Sequence, residues 1–239
     1  GVADVVKPVP LLEEGAEQAY DIPTDIIATE QELEVPVLWW RSVGHSHNAF
    51  VVESFHDEIA RAAGWDEVAH RQSMLRKEPR ARAIIAKVAD MAEWDGKKTP
   101  NLGLAYHKSF GTYVAQMADV AVEGDQILVK TVYCAVDCGL VINPDIVEAQ
   151  IRSGIIFGLS AALYGDISLK DGEVQQHNFD SYPILRLNET PDILVHIVES
   201  NEDPTGIGEP GVPPIAPAVA NAVARLTGKR LRKLPLKVS

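Results

Sequence analysis

Cysteine is scarce in this chain: Cys134 and Cys138 are the only two among 239 residues. That count excludes a disulfide framework and an iron–sulfur cysteine set, and with no further Cys or His at ligand spacing it writes no zinc site. The pair stands in YCAVDCG, separated by three residues on a strand-like segment. Such residues face one side of a strand, too far apart for an easy bridge, so two buried free thiols are expected. No stretch approaches 18 consecutive apolar residues, and neither a cationic n-region nor an apolar h-region opens the chain. The expectation is no membrane insertion and no signal peptide. Positive charge is the minority sign, 22 Lys and Arg against 34 Asp and Glu for a net charge of -12. A general affinity for nucleic acid or anionic membrane is thereby disfavoured, leaving small molecules or proteins as partners. There is no flavin or nicotinamide fingerprint and no internal repeat, and with no GxSxG or similar nucleophile elbow an α+β hydrolase ranks last among the readings.

The chain does have 46% hydrophobic and 23% charged residues, an ordinary globular balance with length for one large or two small domains. Residues 1–37 are acidic and broken by proline, so they read as an extended lead-in with short strands, and 38–239 as the main body. The start at Gly1 without Met suits a processed chain or a fragment. Asn48 to Ala63 carries apolar residues at helical spacing, with Asn48 as N-cap and Gly64 as stop. Further helices are expected from about Trp65 to Leu75 and from Pro79 to Trp94, the latter with proline in its first turn. From Gly103 to Gly139 the period changes to two β-rich runs joined at EGDQ, a long hairpin. A helix with small residues on one face should begin after Asn143, with Pro144 at its first position. GDISLKDGEVQQ reads as another hairpin and DILVHIVES as a strand. The expected fold is one α+β unit over residues 1–239.

The last stretch, EDPTGIGEPGVPPIAPAVANAVARLTG, sets Glu209 between glycines and prolines ahead of a buried helix from about Pro214 to Leu226, closed by Gly228. Gly206, Gly208 and Gly211 allow backbone shapes a β-carbon forbids, while Pro210, Pro213 and Pro214 stiffen the loop. A carboxylate there can be a simple cap or dipole partner; held by a stiff frame, it can also be a placed base.

Four segments in one order are similar to the C-terminal portion of the molybdenum-binding subunit of the xanthine dehydrogenase/aldehyde oxidase family, and most like its branch of isoquinoline 1-oxidoreductase beta subunits. They are WWRSVGHSHNAFVVESF, LAYHKSFGTYVAQMADV, CAVDCGLVINPDIVEAQIRSGIIFG and GIGEPGVPPIAPAVANAV. The resemblance runs from about residue 15 to 235, and complete subunits of that family are much longer, so it implies a fragment or a separately encoded piece. It implies a molybdopterin-binding α+β fold and oxidative hydroxylation of an aldehyde or an electron-poor N-heterocycle with oxygen from water. Glu209, in its GxGE loop, would be the general base. Arg41 would lie near the metal and the pterin phosphate, where a guanidinium pairs bidentately with oxyanions; a surface carboxylate is its plainer partner. Gln150 would reach the pterin with an amide that both donates and accepts; a polar residue on a helix surface is the alternative. Gly111, Thr112 and Gln116 would run past the pterin, and Gly208 would sit beside it.

Gly154 and Gly158 would allow close approach either to the cofactor or to the core. His45 and His47 read as loop hydrogen-bonders ahead of zinc ligands, His107 as a half-buried hydrogen-bonder, Asn143 as a cap near Asp137 and Asp145, and Tyr182 and Arg186 as channel residues or parts of a plain Tyr-Pro turn. The implied cofactor is molybdopterin, in the cytosine dinucleotide form, with molybdenum. The implied partners are the remainder of the molybdopterin subunit, an iron–sulfur small subunit and a small-molecule substrate. The branch points to the periplasm, with the cytoplasm left open. A non-catalytic assembly module of the same fold is the competing reading.

Overall fold

The computed structural model describes residues 14–27, 29, 35 and 38–238. Most of the expected lead-in up to residue 37 lies outside these residues. The helices are α1 (Gly44–Ala62), α2 (Glu67–Met74), α3 (Pro79–Met91), α4 (Pro144–Tyr164) and α5 (Ile215–Thr227). The main strands are β1 (Leu102–Ser109), β2 (Thr112–Glu123), β3 (Gln126–Asp137) and β6 (Asp192–Ile197), while β4 (Leu169–Lys170) and β5 (Glu173–Val174) form the short expected hairpin.

The main sheet runs β1-β2-β3-β6, antiparallel except that β6 lies parallel to β3. Side-chain alternation along β2 serves two cores. Val114, Ala118 and Val120 face α4 and α5, and Tyr113, Ala115 and Met117 face α3. Cys134 and Cys138 are free thiols buried in the α4–α5 core. Residues 215–224 of α5 are all buried, as a helix apolar nearly all round requires. It lies so close to β1 that a β-carbon on Gly103 would stand 2.1 Å from the Ala222 nitrogen. Helix α4 is long and apolar enough to cross a membrane by length and composition alone. Here its Val147, Ile151, Ile155 and Leu159 stripe packs into the core.

The boundaries differ from expectation in two informative places. Helix α1 begins four residues earlier than Asn48, with Val43 as its N-cap and no side-chain cap bond. Asn48 sits inside the helix and donates to the Glu14 carbonyl. The Gly103–Gly139 region holds three strands, because Phe110 and Gly111, at φ 51° and 80°, make a two-residue turn of the kind that suits a tight hairpin. Elsewhere the local chemistry is as read. Asn143 accepts from the Ile146 N–H to cap α4, with Pro144 next, and Gly228 closes α5 at φ 77°.

Beneath α1 lies a buried polar web. Glu53, about 1% exposed, accepts from Arg71 Nε at 2.9 Å, from the Tyr106 N–H at 3.0 Å and from the Tyr20 hydroxyl. Burial works against the Arg71 charge, but Glu53 outweighs it and raises the Arg71 pKa. Asn221 of α5 donates to the carbonyls of Glu53 and Leu104. Removing one partner strands a buried charge, so Glu53→Ala should cost about 3–5 kcal/mol of stability, read from the urea midpoint.

His56 stacks on Tyr20 and shares a 3.3 Å hydrogen bond with His70. Burial first, then the neighbouring Arg71 and His70, push its pKa down to about 3 from 6.5. The folded state therefore binds fewer protons, and the contribution of His56 is complete above about pH 6.5 and drains as pH falls toward 3. Between pH 7 and pH 5 the urea midpoint should fall, and His56→Gln should shrink that fall by on the order of 1–2 kcal/mol.

Candidate functional site

The loop after β6 delivers Glu209. It recrosses the end of the sheet, where the Leu140 N–H donates to Glu202 O, the Thr205 N–H to Cys138 O and the Gly206 N–H to Phe110 O. The fit is tight: a β-carbon on Gly139, at φ 74°, would stand 2.1 Å from the Asp203 carbonyl oxygen. Arg80 holds the same corner by a bidentate pair with Asp137 at 2.6 and 2.7 Å. Burial opposes the Asp137 charge, but Arg80 and the Gly139 N–H prevail and lower its pKa.

Three segments far apart in sequence then converge. Arg41 donates from Nε to Gly208 O at 2.8 Å, from Nη1 to Ser153 Oγ at 3.0 Å and from Nη2 to Gln150 Oε1 at 3.2 Å, with Nη2 also on Gly208 O. Its guanidinium lies over Phe157 at 5.6 Å, and Trp40 packs on the same ring at 4.7 Å. Next along the chain, the Ser42 N–H donates to Glu209 Oε1 at 3.3 Å and its hydroxyl to Glu209 O at 2.7 Å. Ser42 and Val43 have φ of 73° and 42°, a conformation costing non-glycine residues about 1–2 kcal/mol each. Such strain is held only where surrounding contacts over-determine the backbone.

The remaining sequence candidates contact the loop itself. Thr112 bonds Thr205 Oγ1 at 2.7 Å and donates to Gly206 O at 2.6 Å. Gly111 makes the β1–β2 turn, where a β-carbon would meet Thr205 Cγ2 at 2.8 Å. Gln116 is fully buried and donates from Nε2 to Gly211 O at 2.8 Å. Thr112 and Gln116 thus tie the loop to β2, and Gln116 Oε1 is buried without a hydrogen-bond partner among the described residues. Gly154 and Gly158 meet Gly211, Val212 and Ile215, so core packing accounts for them. His45, in the first turn of α1 and not in a loop, shares a 2.9 Å bond with His107. Burial lowers the His45 pKa against the pull of Glu14 and Glu209, and burial and His45 lower that of His107 to about 3. Among the described residues no hydrogen bond joins Tyr182 or Arg186 to this cluster.

Sequence reasoning missed Ser42, Ser153 and Thr205. Ser153 was findable, since its i,i+3 spacing from Gln150 puts both on one helix face. Ser42 left no signal, because a serine at positive φ is not written in any motif. An apolar cavity of about 800 Å³ borders the same corner, lined by Trp39, Trp40, Val43, Gly158 and Pro213 among others, but not by Glu209, Arg41 or Gln150. The polar convergence, not the cavity, marks the candidate site.

Residues 41–191 match the family described as molybdopterin cofactor-binding domain. The chain is 38% identical over 231 residues to the beta subunit of isoquinoline 1-oxidoreductase of Brevundimonas diminuta, covering 93% of this chain and 30% of that protein. It is 32% identical over 258 residues to a nicotinate dehydrogenase subunit of Pseudomonas putida, covering 97% of this chain and 22% of that protein. A solved structure of quinoline 2-oxidoreductase from Pseudomonas putida 86 aligns at 26% identity with a TM-score of 0.47, over 49% of this chain and 16% of that one. The chain belongs to the molybdopterin cofactor-binding domain family, the molybdopterin-binding subunits of xanthine dehydrogenase type. It spans less than a third of the length of these two curated relatives.

The residues present fit such a group. Gln150 keeps its amide Nε2 without a hydrogen-bond partner among the described residues, and nothing stands within 4 Å of where a β-carbon on Gly208 would be. An amide donor beside open ground suits the mixed donor and acceptor edge of a pterin. Arg41, by contrast, has five N–H groups and uses four in the bonds above. It can give an anion one more bond without releasing the loop. Replacing it with Lys removes the planar fork, so Arg41→Lys should cost about 1–3 kcal/mol by chemical denaturation and do little better than Arg41→Ala.

Proposed function

We propose that this chain is part of the molybdenum-binding subunit of a hydroxylase that oxidises an aldehyde or an electron-poor N-heterocycle with oxygen from water. The observation that carries the reading is the single junction at which Arg41 ties Gly208 to Gln150 while Ser42 holds Glu209. When bound, molybdopterin, proposed in its cytosine dinucleotide form, supplies the two-electron oxidation at molybdenum. The chain's own residues supply placement and a proton acceptor.

Glu209 acts as general base. Its Oε1 is occupied by Ser42, and its stiff glycine–proline loop limits the positions its carboxylate can sample. Gln150 offers its free amide to the pterin, and the Gly208 main chain leaves room for close approach. Arg41 keeps Gln150 and the loop at fixed separation and offers its remaining N–H to an anionic group. Thr112 and Gln116 serve the site indirectly, as braces. The proposed partners are the remainder of the molybdopterin subunit, which would complete the pocket, and an iron–sulfur subunit that would accept the electrons. The relatives' names, isoquinoline 1-oxidoreductase and nicotinate dehydrogenase, support an aromatic N-heterocycle as substrate.

A second reading, an assembly module without catalysis, draws on exposed apolar side chains such as Leu38, Trp39, Ile142 and Leu187. Such surface marks an interaction site, which a missing part of the same subunit also explains. Glu209→Gln separates the two. In the complete enzyme it should lower kcat at least about a hundredfold, the scale of general base catalysis, with molybdenum and pterin content unchanged by metal analysis. Unchanged turnover would remove the general-base reading.

A further inference from the structure

We infer that Ser42 is the positioning residue for Glu209, resting on the reading of Glu209 as base. The main-chain N–H of Ser42 donates to Glu209 Oε1 at 3.3 Å and its hydroxyl donates to the Glu209 carbonyl at 2.7 Å. Among the described residues Oε2 accepts no hydrogen bond. Ser42 thereby settles which carboxylate oxygen is left to receive a proton.

The corner that carries Ser42 is closed by bonds that do not involve Glu209. The Val43 N–H donates to Trp40 O at 2.7 Å, the His45 N–H to Ser42 O at 3.0 Å, and Ser46 Oγ to Arg41 O at 3.0 Å. Ser42 is fully buried, and α1 continues directly from the corner. The donors therefore meet the carboxylate already fixed, which is what orienting a base requires. The conformation itself is informative. At φ 73° glycine would be the unstrained residue, yet glycine has no hydroxyl to hold the Glu209 carbonyl. The neighbouring Val43 shares the strain at φ 42° and makes no side-chain cap, so helix capping does not account for the corner. One hydroxyl and one amide on the same residue fix both the main chain and the side chain of Glu209.

The test uses the holoenzyme that carries this chain. Ser42→Ala and Ser42→Gly both remove the hydroxyl and keep the N–H, and Ser42→Gly also relieves the backbone. Each should lower kcat per bound molybdenum about five- to tenfold, with KM and molybdenum content unchanged. A structural role would instead be rescued by glycine. The second readout is hydrogen exchange of the peptide containing Ser42, which does not depend on turnover. Glu209→Ala should speed exchange there, and Glu209→Gln, which retains Oε1 as acceptor, should leave it slow. Unchanged kcat in both Ser42 variants, activity lost only in step with molybdenum, rescue by Ser42→Gly, or unaltered exchange in Glu209→Ala would each overturn the assignment. Unchanged turnover in Glu209→Gln would overturn the general-base reading itself, so the two failures are told apart.

Discussion

The buried Glu53 carboxylate is the constraint on which the site depends. It accepts from a side chain of α2, a main-chain amide of β1 and a hydroxyl from the N-terminal segment, and its own carbonyl receives Asn221 from α5. A charge taken out of water is tolerable only when its lone pairs are filled. Those donors therefore fix α1 in position against three other elements. Because α1 starts at Gly44, fixing the helix also fixes the Arg41–Ser42 corner. The route from core electrostatics to candidate chemistry is one helix long.

The opposite wall of the site is positioned by backbone contact. The return from β6 is pressed against Gly139 and braced by Thr112 and Gln116, and α4 meets it at Gly154. Glu209 is thus the meeting point of a wall held by charge and a wall held by steric fit. Arg41 ties the two walls together with most of its donors, a role between structure and recognition.

What could be read from the sequence followed from local chemistry. Asn143-Pro144 opens α4, Gly228 ends α5, and the strand period places Cys134 in the core, because each depends on a residue's own conformational preference or on alternation, while Cys138 is buried one residue past the end of β3. The four ordered segments gave the family. What was illegible depends on tertiary context. Val43 and Ser42 adopt backbone angles that nothing local favours, so the start of α1 and the contact to Glu209 were both missed. Phe110-Gly111 looked like strand interior because only the register of β1 on β2 makes it a turn. Gln116 read as a ligand contact by resemblance, and its bond to Gly211 O, which ties β2 to the Glu209 loop, was not legible because it depends on how that loop returns over the sheet.

The contact of α5 with β1 at Gly103 is made by main-chain atoms. Side chains elsewhere in this core can be exchanged for others of similar volume, and the spacing there will not drift with them, since no side chain sets it. Descendants of this chain could therefore rewrite much of the apolar filling around α5 while the ruler that places the helix, and the loop leading into it, keeps its length.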